Sequence, residues 1–439
     1  MLTSLEQRLC QVIAARDGAM RADLARHVAI PTGHNHTAGL DEYRGLIVSR
    51  LEKLGARTEY VPGDPKPDWL TADDSDSASR KGDSSAGRTP PTAVCRMESP
   101  PGSRRSPSGP LAKGNDFGDG AETGSPRVLI AGHLDTVFDP RGPFLKLEVS
   151  SDGTRAVGPG VVDMKGGILI AVHALEALAE CGVRGAQDRW TFLLNSDEET
   201  GSYHSERALR AEAARHDIGL AVEPALPDGS LAIERKGSGQ FLIETFGRSA
   251  HAGRDFASGV SAVYALARTL VEVEKLNDLP RGITVNVGPL VGGKATNVVP
   301  DYAAARGNVR FPDAQACDEL AARLDRLATP PGVVPGVRVR RSFNRPAKVA
   351  TAPVRSLAQA AQEAAKDLGF ELGLGSTGGV CDGNILQDAG LPTIDTLGVR
   401  GGGLHTHEEW IDLKSLVERS QLFGLLLLRA WEGRVKLPQ

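Results

Sequence analysis

The chain has no CxxC pair, no long apolar run and no excess of basic charge, and each absence closes off a class of protein. Its five cysteines (Cys10, Cys95, Cys181, Cys317 and Cys381) are scattered and odd in number. Neither a disulfide framework nor a thiolate metal site fits them, and reduced thiols in a cytoplasmic protein are the expectation. The opening residues MLTSLEQRLCQVIAARDGAM mix charged with apolar positions, so no secretory signal is recognisable. The longest late apolar stretch, LFGLLLL, is far too short to cross a bilayer. With a net charge of −4 there is no basic excess to attract nucleic acid and no polybasic stretch for a membrane surface.

What is present is the material of a large globular protein. The 439 residues exceed one compact core, which favours two domains or one large one. Residues 40–54 carry a helical apolar stripe, and RTEYV (57–61) reads as a strand. From about 62 to 126 the composition turns to Ser, Gly, Pro, Asp and Arg, which predicts a disordered surface insertion. Order resumes with the strand RVLIAG (127–132), a helix over 166–181, the strand WTFLLNS (190–196), a helix over 202–214 and the strand IGLAVE (218–223). Strands alternating with helices imply a mostly parallel, helix-covered sheet.

Between about 237 and 346 the order changes to strand, helix, strand, strand, helix, strand. The strands are QFLIETF, ITVNVG, YAAARGNVRF and GVRVRR, and the layout is ferredoxin-like. A helix over 354–368, the strand TIDTL and a last helix over 412–431 return to the first type. The expected fold is α/β with two domains. A catalytic domain formed by 1–236 and 347–439 is interrupted by a smaller α+β lid at 237–346.

The acidic and histidine residues cluster at strand ends, where open α/β sheets hold their ligands. RVLIAG runs into His133 and Asp135, and two glycine clusters bracket Asp163. WTFLLNS runs into Glu198 and Glu199, IGLAVE ends on Glu223, and a late glycine-flanked segment brings His405. Imidazole and carboxylate without thiolate suit catalytic zinc, manganese or cobalt. So many anionic ligands exceed the needs of one zinc and favour two metals sharing a carboxylate.

These segments, in this order, resemble the M20 family of zinc amidohydrolases, which includes glutamate carboxypeptidases, acetylornithine deacetylases, succinyl-diaminopimelate desuccinylases and aminoacylases. The resemblance runs from about 127 to 413 and leaves the insertion unmatched. It implies two zinc ions per chain, with cobalt or manganese as substitutes. His133 would bind one and His405 the other, with Asp163 bridging, and Glu199 and Glu223 would each complete one set. Asp135 would orient His133, and Glu198 would be the general base. His251, in SAHAG, is the family's lid histidine, expected to reach the partner subunit's site in a homodimer built through the lid. Asn297 and Arg310 match residues that hold a substrate carboxylate, and Gly378 and Gly379 belong to a loop whose backbone lines that pocket. Some relatives have a cis peptide bond after Asp163, which Met164 leaves open.

The implied activity is cleavage of an amide bond beside a free carboxylate in a small peptide or N-acyl amino acid, nearest to the glutamate carboxypeptidases. The alternatives are a deacylase of acetylated or succinylated amino acids and a non-catalytic binding relative. Several bland residues compete with this assignment. His407 rivals His405, His173 sits mid-helix, and His34 and His36 form a pair with little claim on a metal. Gly288–Lys294 imitates the start of a phosphate loop, but Ala295 stands where Ser or Thr should follow. Cys381 has no nearby histidine to activate it.

Overall fold

A computed structural model describes residues 1–33, 36–71, 89–98 and 125–438. His34 and the stretches 72–88 and 99–124 of the predicted insertion lie outside the described residues. The main sheet has six strands, in spatial order Arg57–Val61, Thr92–Glu98, Arg189–Asn195, Val128–His133, Ile218–Ala221 and Thr393–Ile394. Neighbours from Arg189–Asn195 onward are parallel, and Thr92–Glu98 runs antiparallel to both of its partners. Alternation along Val128–His133 explains the layering. Val128 and Ile130 enter the larger core with the helices Gly166–Glu180 and Lys414–Trp431, while Leu129 and Ala131 face Leu209 and Ile385 on the other side.

One sequence expectation is corrected here. Thr92–Glu98 lies within the stretch read as a disordered insertion, yet it is an inner strand of the sheet. Ala93, Cys95 and Met97 join one core and Val94 the other, so both faces of this short segment are buried. The low-complexity composition on either side hides a strand with enough apolar surface to pay for its ordering.

The lid sheet is wholly antiparallel, with the order Thr284–Gly292, Tyr302–Phe311, Gly237–Phe246 and Gly336–Arg345. The helices Ala262–Glu274 and Ala314–Asp325 cover it through a separate core that includes Phe241, Ile243, Leu266 and Leu320. Its element order is the ferredoxin-like one read from the sequence. The two chain crossings into the lid meet, because Arg235 and Lys348 exchange backbone hydrogen bonds of 2.8 and 2.9 Å. Their side chains share the buried carboxylate of Asp395, at 2.9 and 3.4 Å.

The chain ends are tied together as well. The first helix, Ser4–Ala14, starts in a capping box formed by Thr3 and Glu6. Glu6 is fully buried and accepts from Arg429 of the last helix at 2.7 Å. Leu9 and Ile13 pack where Gly424 leaves room for them. Among the described residues, no helix is long and apolar enough to cross a membrane.

Candidate metal centre

Parallel strands deliver their C-terminal ends to one edge of a sheet, and the candidate ligands come together there. His133 is the last residue of its strand, Glu198 and Glu199 follow Arg189–Asn195, and Glu223 follows Ile218–Ala221. Asp163 sits in an irregular turn just before the helix Gly166–Glu180. Gly167 lets that helix press onto the end of the neighbouring strand, since a Cβ there would strike the Val222 carbonyl. The peptide bond after Asp163 is cis. His405 arrives on the late glycine turn and adopts φ 62°, a left-handed conformation uncommon outside glycine.

Ligand atoms of His133, Asp163 and Glu199 all lie within 4.8 Å of one another. The two oxygens of Asp163 face different histidines: Oδ1 is 3.1 Å from His133 Nε2 and Oδ2 is 3.6 Å from His405 Nε2. Glu199 Oε2 lies 3.3 Å from the same His405 nitrogen. Glu223 is buried near this group, and its carboxyl feels the charges of His133 and Asp163. Asp135 is fully buried, 3.5 Å from His133 Nδ1, and its oxygens accept the N–H groups of Glu198 and Glu199 at 3.2 and 3.0 Å. The Asp135 backbone carbonyl is closer still to His133 Nδ1, at 2.9 Å, and the carboxylate ties down the turn that carries both glutamates.

The electrostatics show what is out of balance. Burial pushes the Glu198 carboxyl up to about 8, against the pull of Arg345. Burial also raises Glu199 and, more strongly, Glu223. Hydrogen bonds to Asp163 and Glu199 draw His405 up to about 10. Burial opposes ionisation of Asp163, but His133 and His405 hold it below the usual carboxylate range. The carboxylates of Asp135, Asp163, Glu198, Glu199 and Glu223 thus crowd into one region with few fixed cations. Imidazole nitrogen and carboxylate oxygen at this spacing suit a divalent metal, whose charge would replace the protons on these groups.

Sequence reading missed the residue against Glu198. Arg345, at the end of the last lid strand, donates Nη2 to Glu198 Oε1 at 2.8 Å and to Ser202 Oγ at 2.7 Å, while Nη1 lies 3.1 Å from Asp382. Asn195 and Ser202 complete the buried network by donating to Asp382 at 2.7 and 2.6 Å. The run RVRRSFNR carries several arginines, and nothing local separates Arg345 from the others.

The remaining candidates fall elsewhere. His251 and Asn297 are brought together on the lid, where residues 251 and 298 pair and the Ala252 N–H donates to the Asn297 carbonyl at 2.9 Å. Among the described residues, His251 is not one of the metal-capable side chains grouped with Asp163. Arg310 has a buried Nη1 without a hydrogen-bond partner, and it senses the charge of Arg345. Gly379 accepts from Arg235 through its carbonyl at 3.2 Å, and Gly378 beside it is exposed. His407 stacks on Phe144 with ring centres 5.2 Å apart, and His173 lies 2.9 Å from Asp23. His36 precedes the helix Thr37–Lys53. Residues 288–292 of the phosphate-loop look-alike belong to an edge strand of the lid, not to a loop that opens a helix. Burial drives the Cys381 thiol well above its ordinary range, which works against a thiolate nucleophile.

Comparison with known proteins points to one family. The profile of peptidase family M20/M25/M40 matches residues 129–429. Carboxypeptidase G2 of Pseudomonas sp. (strain RS-16) is 28% identical over 315 residues, covering 71% of this chain and 75% of the relative. A succinyl-diaminopimelate desuccinylase of Methylorubrum extorquens is 29% identical over 333 residues, covering 70% and 83%. The crystal structure of aminopeptidase PepT from Bacillus cereus superposes with a TM-score of 0.68 at 19% identity, over 94% of this chain and 98% of that one.

Proposed function

The chain belongs to peptidase family M20/M25/M40, and from that premise we propose a two-metal hydrolase that cleaves an amide or peptide bond beside a free carboxylate. The observation that carries this reading is the divided carboxylate of Asp163, one oxygen toward His133 and the other toward His405. His133 and Glu223 would hold one ion, His405 and Glu199 the other, and Asp163 both. Zinc suits the donor set, with cobalt or manganese able to replace it. When bound, the ions would polarise the scissile carbonyl and make water acidic enough to be deprotonated near neutral pH.

Glu198 takes that proton as oxygen attacks the carbonyl carbon, then delivers it to the nitrogen as the C–N bond breaks. Its burial suits it to hold a proton between the two steps, and the cationic Arg345 beside it favours return of the carboxylate once that proton is delivered. Arg310, with an unpartnered buried N–H, and Asn297 would grip the substrate carboxylate, and the backbone around Gly378 and Gly379 would line the pocket. His251 would polarise the carbonyl in the site of a second copy. Free cysteines suit a reducing compartment such as the cytoplasm.

The likeness to a desuccinylase supports a second reading, deacylation of N-acyl amino acids. Turnover of peptidyl-glutamates and N-acyl amino acids, measured beside matched amides without the carboxylate, tests both. Hydrolysis that stops on chelation, returns with zinc, cobalt or manganese, and requires the carboxylate is the expected result. Equal turnover of carboxylate-free amides would overturn the substrate class. No hydrolysis of any substrate with metal bound would favour a non-catalytic relative.

A further inference from the structure

Glu409 stands four residues after His405 and is fully buried. Its Oε1 accepts the N–H groups of Val162 at 2.8 Å and Asp163 at 3.0 Å, and its Oε2 accepts that of Gly160 at 3.3 Å. Its own carbonyl accepts from Gly158 at 3.1 Å. All four donors lie in the single turn that presents Asp163. Lys165, the cation of that turn, instead gives its ammonium to the carbonyls of His27 and Ile30, at 3.1 and 2.7 Å.

Burying a carboxylate costs several kcal/mol unless its oxygens are fully satisfied. Asp163 has non-helical backbone angles, so its turn cannot rely on regular helical hydrogen bonds to hold its shape. Glu409 supplies acceptors for that turn. It also closes the His405 turn, because its own N–H donates to the Thr406 carbonyl at 3.1 Å.

We propose that Glu409 is a positioning residue that fixes the Asp163 backbone relative to His405, so that the bridging carboxylate and the late histidine meet a metal as a preset pair. The inference rests on the reading that these two residues bind metal. It predicts a particular defect: metal affinity should fall without loss of the fold.

Cobalt titration of the metal-stripped full chain, followed by visible absorption and calorimetry, tests it on wild type, Glu409→Gln and Glu409→Ala. Gln keeps one oxygen acceptor and most of the shape, so it stays informative if the Ala variant does not fold. Wild type should bind two cobalt ions. Glu409→Gln should bind one of them about 10- to 100-fold more weakly, the usual effect of losing a group that orients a ligand. Its cobalt bands should change while the melting temperature of the metal-free chain stays near that of wild type. Two ions bound by Glu409→Gln with wild-type affinity and spectrum would overturn this inference alone. An equal loss of both ions together with a collapsed metal-free melting temperature would also overturn it, marking Glu409 as a general fold contact. A wild-type chain that binds no cobalt would instead overturn the metal-site reading beneath it.

Discussion

Glu198 and Glu199 are chain neighbours with different surroundings, one against Arg345 and the other against His405. Replacing Glu198 by Gln should lower kcat at least ~100-fold, the low end for a positioned acid/base group. Metal content should remain near that of wild type, as measured by elemental analysis. Replacing Glu199 by Ala should instead strip metal, and equal metal content in the two variants would contradict the division of roles. The proton held by His405 up to about 10 must leave before its imidazole could ligate a metal. Binding therefore expels that proton, and affinity should rise with pH by about tenfold per unit for each proton displaced. Calorimetry in buffers of different ionisation enthalpy reads the release directly, and a pH-independent affinity would refute it. The candidate ligand residues stand out in the sequence because each lies at a strand end or follows a glycine cluster. Arg345 and Glu409 could not, since their partners are backbone groups and side chains far along the chain.

Among the elements, the longer helices and strands from 127 onward could be read from their periodicity, and YAAARGNVRF matches its strand end to end, whereas the short strands Leu231–Arg235 and Leu374–Thr377 and the helix Asp382–Asp388 went unread. Thr92–Glu98 could not, because its seven residues lie in polar low-complexity sequence and only the sheet around them reveals their two buried faces. The first two helices, Ser4–Ala14 and Asp17–Val28, also left little trace, since charges interrupt their apolar positions. Val94 tests the corrected strand. Replacing it by Asp would put an unpaired charge into a fully buried position, with a cost beyond the usual ~0.5–3 kcal/mol of single substitutions. Denaturant unfolding should show a much lower midpoint. In a solvated loop the same change would stay within about 0.5 kcal/mol.

For the whole molecule, the expected place of His251 in the site of a second copy can be tested, since His251 and Asn297 lie together on the lid. The lid's edge strand Thr284–Gly292 exposes Leu290 and Val291, and such edges are commonly covered by a partner. If His251 acts across a two-fold interface, inactive Glu198→Gln and His251→Ala chains should regain activity when mixed. Recovery could approach roughly a quarter of wild-type sites at equal mixing. No recovery despite proven subunit exchange would place His251 in its own chain's site or outside the chemistry.

The ion pair between Glu6 and Arg429 joins residues 423 positions apart, and that distance has a meaning in time. At about 5–20 residues per second of synthesis, the first helix waits on the order of 20–85 s for the last to emerge. Through that interval Leu9 and Ile13 lack the surface around Gly424 against which they finally pack. The nascent chain thus carries a partly sheltered apolar stripe on this helix until Lys414–Trp431 emerges. A chain released before Lys414–Trp431 is made would leave it only partly covered, by the helix Gly166–Glu180.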